Sequence, residues 1–356
     1  MRCVLHILHV LNHVQEIGNG IVNVAVDLAC WQAKAGHCVG VASVGGDYEA
    51  LLKQYGVQHF QLDQRRSPTH LFKAVRTYQS VVRKFQPHIV HAHMMTGVVL
   101  AKVFGNSQYK LVSTVHNEFQ NSAILMGLAD RVIAVSSSVE RSMNQRGISQ
   151  DKLRVVFNGT LDSPRSRPIS EYQPLNLQRP AITTVAGMYH RKGISELIDA
   201  FCQVAPDFPT AHLYLVGDGP DRVTFEAQVQ NSQFLHRIHF ERFQPEPQRY
   251  LLSTDIFVLA SRQEPFGLVL SEAREAGCAI IASNVDGIPD ALDQGAAGIL
   301  IPAQNSSALA GVLRNLLSDD SMKLLWKQKA QQNLNWLSVK RVNEETMNVY
   351  QELVTS

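Results

Sequence analysis

The stretch Asp255–Asn284, DIFVLASRQEPFGLVLSEAREAGCAIIASN, decides the reading of the chain. Its apolar run IFVLAS (256–261) is too short for a buried helix and is bounded by turn residues, so it reads as a buried strand. Pro265 and Gly267 then make a tight turn, residues 267–277 follow with helical periodicity, and AIIAS (279–283) is a second buried strand. Strand, helix and strand in this order form a βαβ unit, which belongs in a parallel sheet.

The same alternation runs outward in both directions. Toward the N-terminus lie AITTVAG (181–187), AHLYLVG (211–217) and RIHF (237–240), and beyond the central stretch lies GILIP (298–302). Helical stretches fall near 193–205, 220–231, 306–318 and 321–335. Residues 160–180 break the pattern with LDSPRSRPISEYQPLNLQRP and read as a linker. Before it the alternation recurs in VLHILHV (4–10), CVGVASV (38–44), HIVHAH (88–93), LVSTVH (111–116) and RVIAVSS (131–137), with helices near 20–35, 69–85 and 137–146. The expected fold class is therefore α/β, with two Rossmann-like doubly wound parallel-sheet domains. Ligands of such sheets bind beyond the carboxyl ends of the strands, so a cleft between the domains is expected. The boundaries read as 1–165 and 166–337, with a C-terminal helix 338–356 returning to the first domain.

Bulk properties narrow the class. At 356 residues the chain is long enough for two cores. No apolar run approaches the roughly 20 residues needed to span a bilayer, and histidines interrupt the one N-terminal stretch that could pass for a secretion signal. Five scattered cysteines without a Cys-x-x-Cys point to a reducing cytoplasm rather than to disulfides or zinc. Net charge is only +2, but residues 1–168 carry 18 basic against 10 acidic side chains, and no acid lies between Asp63 and Glu118. Such an imbalance suits either an anionic partner of the first half or a solvated basic face. The basic segment 64–84 has Leu71, Phe72, Val75, Tyr78, Val81 and Val82 at helical spacing, which reads as a core stripe. Its cations could meet an anionic membrane surface. Nothing indicates nucleic acid as a partner.

Several short motifs carry chemistry. Gly267 opens a helix whose first amides have no partner within it, a ready anion site. Glu264 before it and Glu272 along it can accept hydrogen bonds from hydroxyls on either side of that anion. A sugar joined through a diphosphate to a ribose presents such a layout. The turn Arg191-Lys192-Gly193 follows the first strand of the second domain and offers cations to the same kind of ligand. In the first domain His116 ends the strand LVSTVH, and Gly18-Asn19-Gly20 lets the backbone approach a ligand. His88, His91 and His93 have the look of a metal cluster, but without accompanying carboxylates or an Asp-x-Asp no metal is expected. His93 reads as part of the cleft floor. The turns Gly217–Pro220 and Asp286–Asp290 end strands; the first reads as structural.

With these motifs in order, the chain from about 130 to 317 resembles the retaining GT-B fold glycosyltransferases of family 4, the glycosyl transferases of group 1. The likeness runs through ADRVIAVSSSVERSMNQRGISQDKLRVVFNGT, VAGMYHRKGISELIDAF, LYLVGDGP, the stretch around EPFGLVLSE, and GILIP. It implies a metal-independent hexosyltransferase moving a sugar from a UDP- or GDP-linked donor to a hydroxyl of a glycan or glycolipid intermediate in polysaccharide or lipopolysaccharide synthesis. No further cofactor is implied. The location would be cytoplasmic, peripheral on the inner membrane face. The resemblance also assigns roles. Glu264 meets the sugar hydroxyls and Glu272 the ribose, the amides of Phe266, Gly267 and Leu268 lie near sugar and phosphate, Lys192 lies at the diphosphate, and His116 lies near the donor sugar. The turn Asp286–Asp290 resembles a family loop near the nucleotide base. Two positions depart from the family pattern. Gly187 stands where the family has an Arg, a charge Arg191 could supply, and Asn19-Gly20-Ile21-Val22 replaces the family's Gly-Gly-x-Glu at the first glycine and the acid. A nucleotide-sugar 2-epimerase and a non-catalytic sugar-nucleotide sensor or partner subunit are the competing readings.

Overall fold

A computed structural model describes residues 4–65, 68–105 and 108–354, with side chains withheld from 68–71. The chain divides into two compact units. The first comprises residues 1–166 together with 338–356, and the second Arg167–Leu337.

In the first unit β1 (His6–Val10), α1 (Gly20–Lys34), β2 (Cys38–Ser43), α2 (Glu49–Gln54), β3 (Gln58–Gln61), α3 (Pro68–Phe85), β4 (Ile89–Ala92), α4 (Met95–Phe104), β5 (Lys110–Val115), β6 (Arg131–Ala134), α5 (Ser137–Gln145) and β7 (Leu153–Val155) follow in sequence. The strands form one seven-stranded parallel sheet in the order β3-β2-β1-β4-β5-β6-β7. Helices on both faces explain why the central strands are near-continuous apolar runs, with Ile7, Leu8, Val10, Ile89, Val90 and Val112 buried. The order reverses between β1 and β4, so the loops leaving these strands part and open a crevice at the carboxyl edge.

The second unit runs β8 (Ala181–Val185), α6 (Ile194–Val204), β9 (His212–Val216), α7 (Arg222–Gln230), β10 (Ile238–Arg242), α8 (Gln248–Leu251), β11 (Ile256–Leu259), α9 (Leu268–Glu275), β12 (Ala279–Ser283), α10 (Ile288–Ala291), β13 (Ile299–Ile301), α11 (Ser306–Ser318) and α12 (Asp320–Ala330). Its six parallel strands are ordered β10-β9-β8-β11-β12-β13. The reversal falls between β8 and β11, so the loops after these two strands, 186–193 and 260–267, flank the crevice. The final helix α13 (Val339–Val354) packs on α1 of the first unit. Tyr350 on α13 is fully buried there, and Glu352 pairs with Arg131 and Arg154.

Several expectations need correction. The stripe on α3 is only partly core. Tyr78, Val81 and Val82 are buried, whereas Phe72 is 60% exposed and lies under the Arg76 guanidinium. Arg66 and the side chain of Leu71 fall outside the described residues. The helix expected over 321–335 ends at Ala330, and a separate 3-10 turn spans Leu334–Leu337. The Pro- and Ser-rich linker stands as read and is fastened at both ends. Ser163 and Arg165 both bond the buried carboxylate of Asp27, and the Gln178 amide donates to the Tyr214 hydroxyl.

Candidate functional site

The crevice of the second sheet collects the residues singled out there. Lys192, after β8, and Glu264, after β11, are 72 positions apart in sequence, yet their side chains form an ion pair. The lysine side chain is 15% exposed and the carboxylate 9%, so neither belongs to a solvated face. Ser261 Oγ donates to the same Glu264 oxygen, Oε2, at 3.1 Å. The Glu264 amide donates to Asp286 Oδ2 at 2.7 Å, and its carbonyl accepts from the Gly287 amide at 3.1 Å. The turn 286–290 therefore pins the backbone of Glu264. Burial, reinforced by the nearby Glu264 charge, raises the Asp286 carboxyl above the usual range although the Glu264 amide opposes the shift.

Two glycines make this approach possible. Gly193 sits at φ 66°, and a Cβ there would lie 1.8 Å from the Ala260 carbonyl oxygen, so the two crevice loops touch backbone to backbone. Gly267 adopts φ 85°, ψ 65° and caps α9 at its N-terminus, with Phe266 buried beside it. Leu268 and Glu272 follow on α9, both half-buried. Gly187 packs against the Tyr189 ring, over which the Arg191 guanidinium lies at 5.4 Å. The turn 217–220 braces this loop, because Met188 donates to the Asp218 carbonyl and accepts from the Asp221 amide. Ser261 was not foreseen, and the turn Asp286–Asp290 was singled out without the bond its Asp286 carboxylate accepts from Glu264. The only sequence signal for Ser261 is its place three residues before Glu264.

The first unit gathers a different set. Asn19 caps α1 by accepting from the Ile21 amide, Gly18 takes φ 69°, and Gly20 is the first helical residue, at ordinary backbone angles. His116 leaves β5 half-buried and hydrogen-bonds His93. The histidine triple read from sequence is not the one the fold assembles. His88 is exposed and accepts from the His6 amide, while His9 of β1 joins His91 and His93, with ring nitrogens within 4.8 Å of one another. Burial holds His9 down at about 4 and His116 at about 3, and holds His91 and His93 well below the ordinary range, so all four are neutral near pH 7.

Comparison with known proteins gives the family and the fold. A sequence profile described as "Glycosyl transferases group 1" matches residues 167–333, and one described as "Glycosyltransferase Family 4" matches 18–160. The chain belongs to the group 1, family 4 glycosyltransferases, and its two parallel-sheet units are the GT-B fold. It is 24% identical over 306 residues to N-acetyl-alpha-D-glucosaminyl L-malate synthase of Bacillus anthracis, spanning 81% of this chain and 78% of that enzyme. It is 28% identical over 196 residues to the lipopolysaccharide core biosynthesis glycosyltransferase LpsD of Rhizobium meliloti, covering 54% of each. Among solved structures, Anabaena HepE in complex with UDP and glucose superposes with a TM-score of 0.82 at 19% identity, over 99% of this chain and 100% of that one. WaaG, described as a glycosyltransferase of lipopolysaccharide biosynthesis, gives 0.77 at 15% identity over 97% and 99%.

Proposed function

We propose that this glycosyltransferase transfers a hexosyl group, with retention and without a metal ion, from a nucleotide-diphosphate sugar to a hydroxyl of a glycan or lipid-linked acceptor. The observation that carries the reading is the Lys192–Glu264 pair at the crevice of the second sheet, next to the left-handed Gly267 that opens α9. A crystal of the structural neighbour HepE holds UDP-glucose, which supports a uridine-linked donor. The relatives of lipopolysaccharide core synthesis support a glycan acceptor.

In this reading the diphosphate lies against the α9 amides and the Lys192 ammonium, whose fixed positive charge stabilises the phosphate oxygens as the leaving group departs. Both contacts to Glu264 use Oε2, so Oε1 accepts from sugar hydroxyls. Glu272 receives the ribose hydroxyls, and Arg191 adds charge that Gly187 cannot provide. The bond from the anomeric carbon to the phosphate oxygen breaks as the acceptor oxygen bonds the same face of that carbon. The acceptor proton passes to the departing phosphate. No carboxylate nucleophile is required, so Glu264 is a positioning group. His116 contributes a ring hydrogen bond to the donor sugar. The exposed cations Lys73, Arg76, Arg83 and Lys84 of α3 give the chain a surface for anionic membrane lipid.

The test is a screen of UDP- and GDP-sugars for thermal stabilisation, followed by transfer assays in the presence of a chelator. Stabilisation by one donor, and transfer with retained anomeric configuration, is expected. Conversion of the donor to its 2-epimer without an acceptor, or no stabilisation by any nucleotide sugar, overturns the reading.

A further inference from the structure

Six side-chain hydrogen bonds join His116 to the interior of the first unit in a single chain. His116 Nε2 meets His93 Nδ1 at 3.1 Å, His93 Nε2 meets His9 Nδ1 at 2.9 Å, and His9 Nε2 meets Gln32 Oε1 at 2.8 Å. From there Gln32 Nε2 reaches the Tyr350 hydroxyl at 3.4 Å, that hydroxyl meets His91 Nδ1 at 2.6 Å, and His91 Nε2 meets Thr114 Oγ1 at 2.7 Å. His9, Gln32, His91 and Tyr350 are fully buried. The His9–His93 and His93–His116 rings stack at 5.2 and 5.4 Å, which restricts their rotation.

A neutral imidazole has one donor and one acceptor, so each bond dictates the next. The Gln32 oxygen only accepts, hence His9 Nε2 carries the hydrogen and His9 Nδ1 accepts from His93 Nε2. His93 Nδ1 then accepts from His116 Nε2, which leaves His116 Nδ1 as a bare acceptor with no partner among the described residues. On the other side the Gln32 amino group donates to Tyr350, Tyr350 donates to His91, and His91 donates to Thr114. Turning the amide over would reverse every bond and put the proton on His116 Nδ1. Gln32 is the one member whose two ends differ in kind without a change of protonation.

We infer that Gln32 is a positioning residue for His116, its amide orientation deciding, through this buried chain, which imidazole nitrogen His116 presents to a ligand. A bare Nδ1 accepts from a sugar hydroxyl, whereas a protonated Nδ1 cannot. The consequence for turnover rests on the role proposed above for His116; the tautomer itself does not. The same three histidines could be imagined as a metal site, but all six of their ring nitrogens are already engaged in the chain, so a metal would have to break it.

The experiment is long-range proton–nitrogen correlation spectroscopy of the full chain labelled with nitrogen-15 histidine, at pH 8, on wild type, Gln32→Met and Gln32→Glu. Wild-type His116, His93 and His9 should each show one tautomer, protonated at Nε2. Gln32→Met should give His116 a mixture of tautomers and cut kcat roughly tenfold, with KM for the donor changed less than about twofold. Gln32→Glu, when ionised, presents only acceptor oxygens to His9 and should restore the single tautomer and most of the turnover. A wild-type His116 protonated at Nδ1 overturns the inference, even if Gln32→Met fails to fold. So does an unchanged tautomer in folded Gln32→Met, or stoichiometric zinc retained by the purified protein, whereas a changed tautomer with unchanged kcat would overturn only the role proposed for His116. The spectra need no donor, so failure of the donor reading leaves them decisive.

Discussion

Glu264 and Lys192 are each other's counter-ion in the crevice of the second sheet, and their substitutions should separate chemistry from folding. If they hold the donor as proposed, Glu264→Gln and Lys192→Ala should each lower kcat/KM by about 10²–10³, the scale found when one preorganised polar contact is lost. Initial rates beside far-ultraviolet circular dichroism would check this, and full activity in either variant would refute the assignment. The glycines give a second contrast. Gly193→Ala places a methyl group against the Ala260 carbonyl in a left-handed conformation and should cost more than about 2 kcal/mol. At Gly187 an added Cβ would come within 2.8 Å of the edge of the Tyr189 ring, an exposed side chain that can shift, and φ is not left-handed, so Gly187→Ala should stay within about 1 kcal/mol. Urea unfolding of both measures the difference. Glu264, Lys192 and Gly267 were legible in the sequence because they sit in short contiguous motifs. Ser261 was not, and the turn of Asp286 was read without its contact, because both act through a contact with Glu264 that no local motif encodes.

Strands β1 and β4 place His9 opposite His91 because parallel neighbours share a register, and His116, just past the end of β5, reaches His93. These rings are neutral in the fold, whereas in the unfolded chain they titrate near 6.5. Below pH 6.5 the unfolded state therefore binds protons that the native state refuses. Each such histidine removes about 1.4 kcal/mol of stability per pH unit, down to about pH 4 for His9 and about pH 3 for His116. The urea midpoint should drop steadily from pH 6.5 to 5, and His9→Asn should lessen that slope by about one proton. An unchanged slope would mean that His9 is not held neutral by burial. Other elements escaped the sequence reading for plain reasons. β3 reads QHFQ and is a polar edge, β7 is three residues long, and α4 is apolar on nearly every side, so none shows the expected periodicity.

At the level of the whole molecule, α13 completes a unit that begins at the other end of the chain. Tyr350 closes the polar chain below the histidines, and Glu352 neutralises Arg131 and Arg154. Deleting residues 338–356 should expose β1, β4 and α1 to hydrogen exchange while the second unit's sheet keeps its protection; exchange mass spectrometry reads both. Uniform loss across the two units would contradict the division. Among the described residues no helix is long and apolar enough to cross a membrane. The exposed cations of α3 predict binding to anionic vesicles at low salt that fades as the Debye length falls below about 10 Å. No pelleting with anionic vesicles at low salt would dismiss the membrane surface.

Local patterning determined what can be written in contiguous residues: two alternating runs of strand and helix, the turn chemistry of Gly193 and Gly267, and the acids bracketing an anion-ready helix. These follow from steric and hydrophobic rules that act within a few residues. Tertiary structure alone decided which distant groups meet. The strand reversals bring Lys192 to Glu264, the parallel register brings His9 to His91, and the returning helix brings Tyr350 beneath them. Such contacts depend on strand order, and periodicity along a chain does not encode strand order.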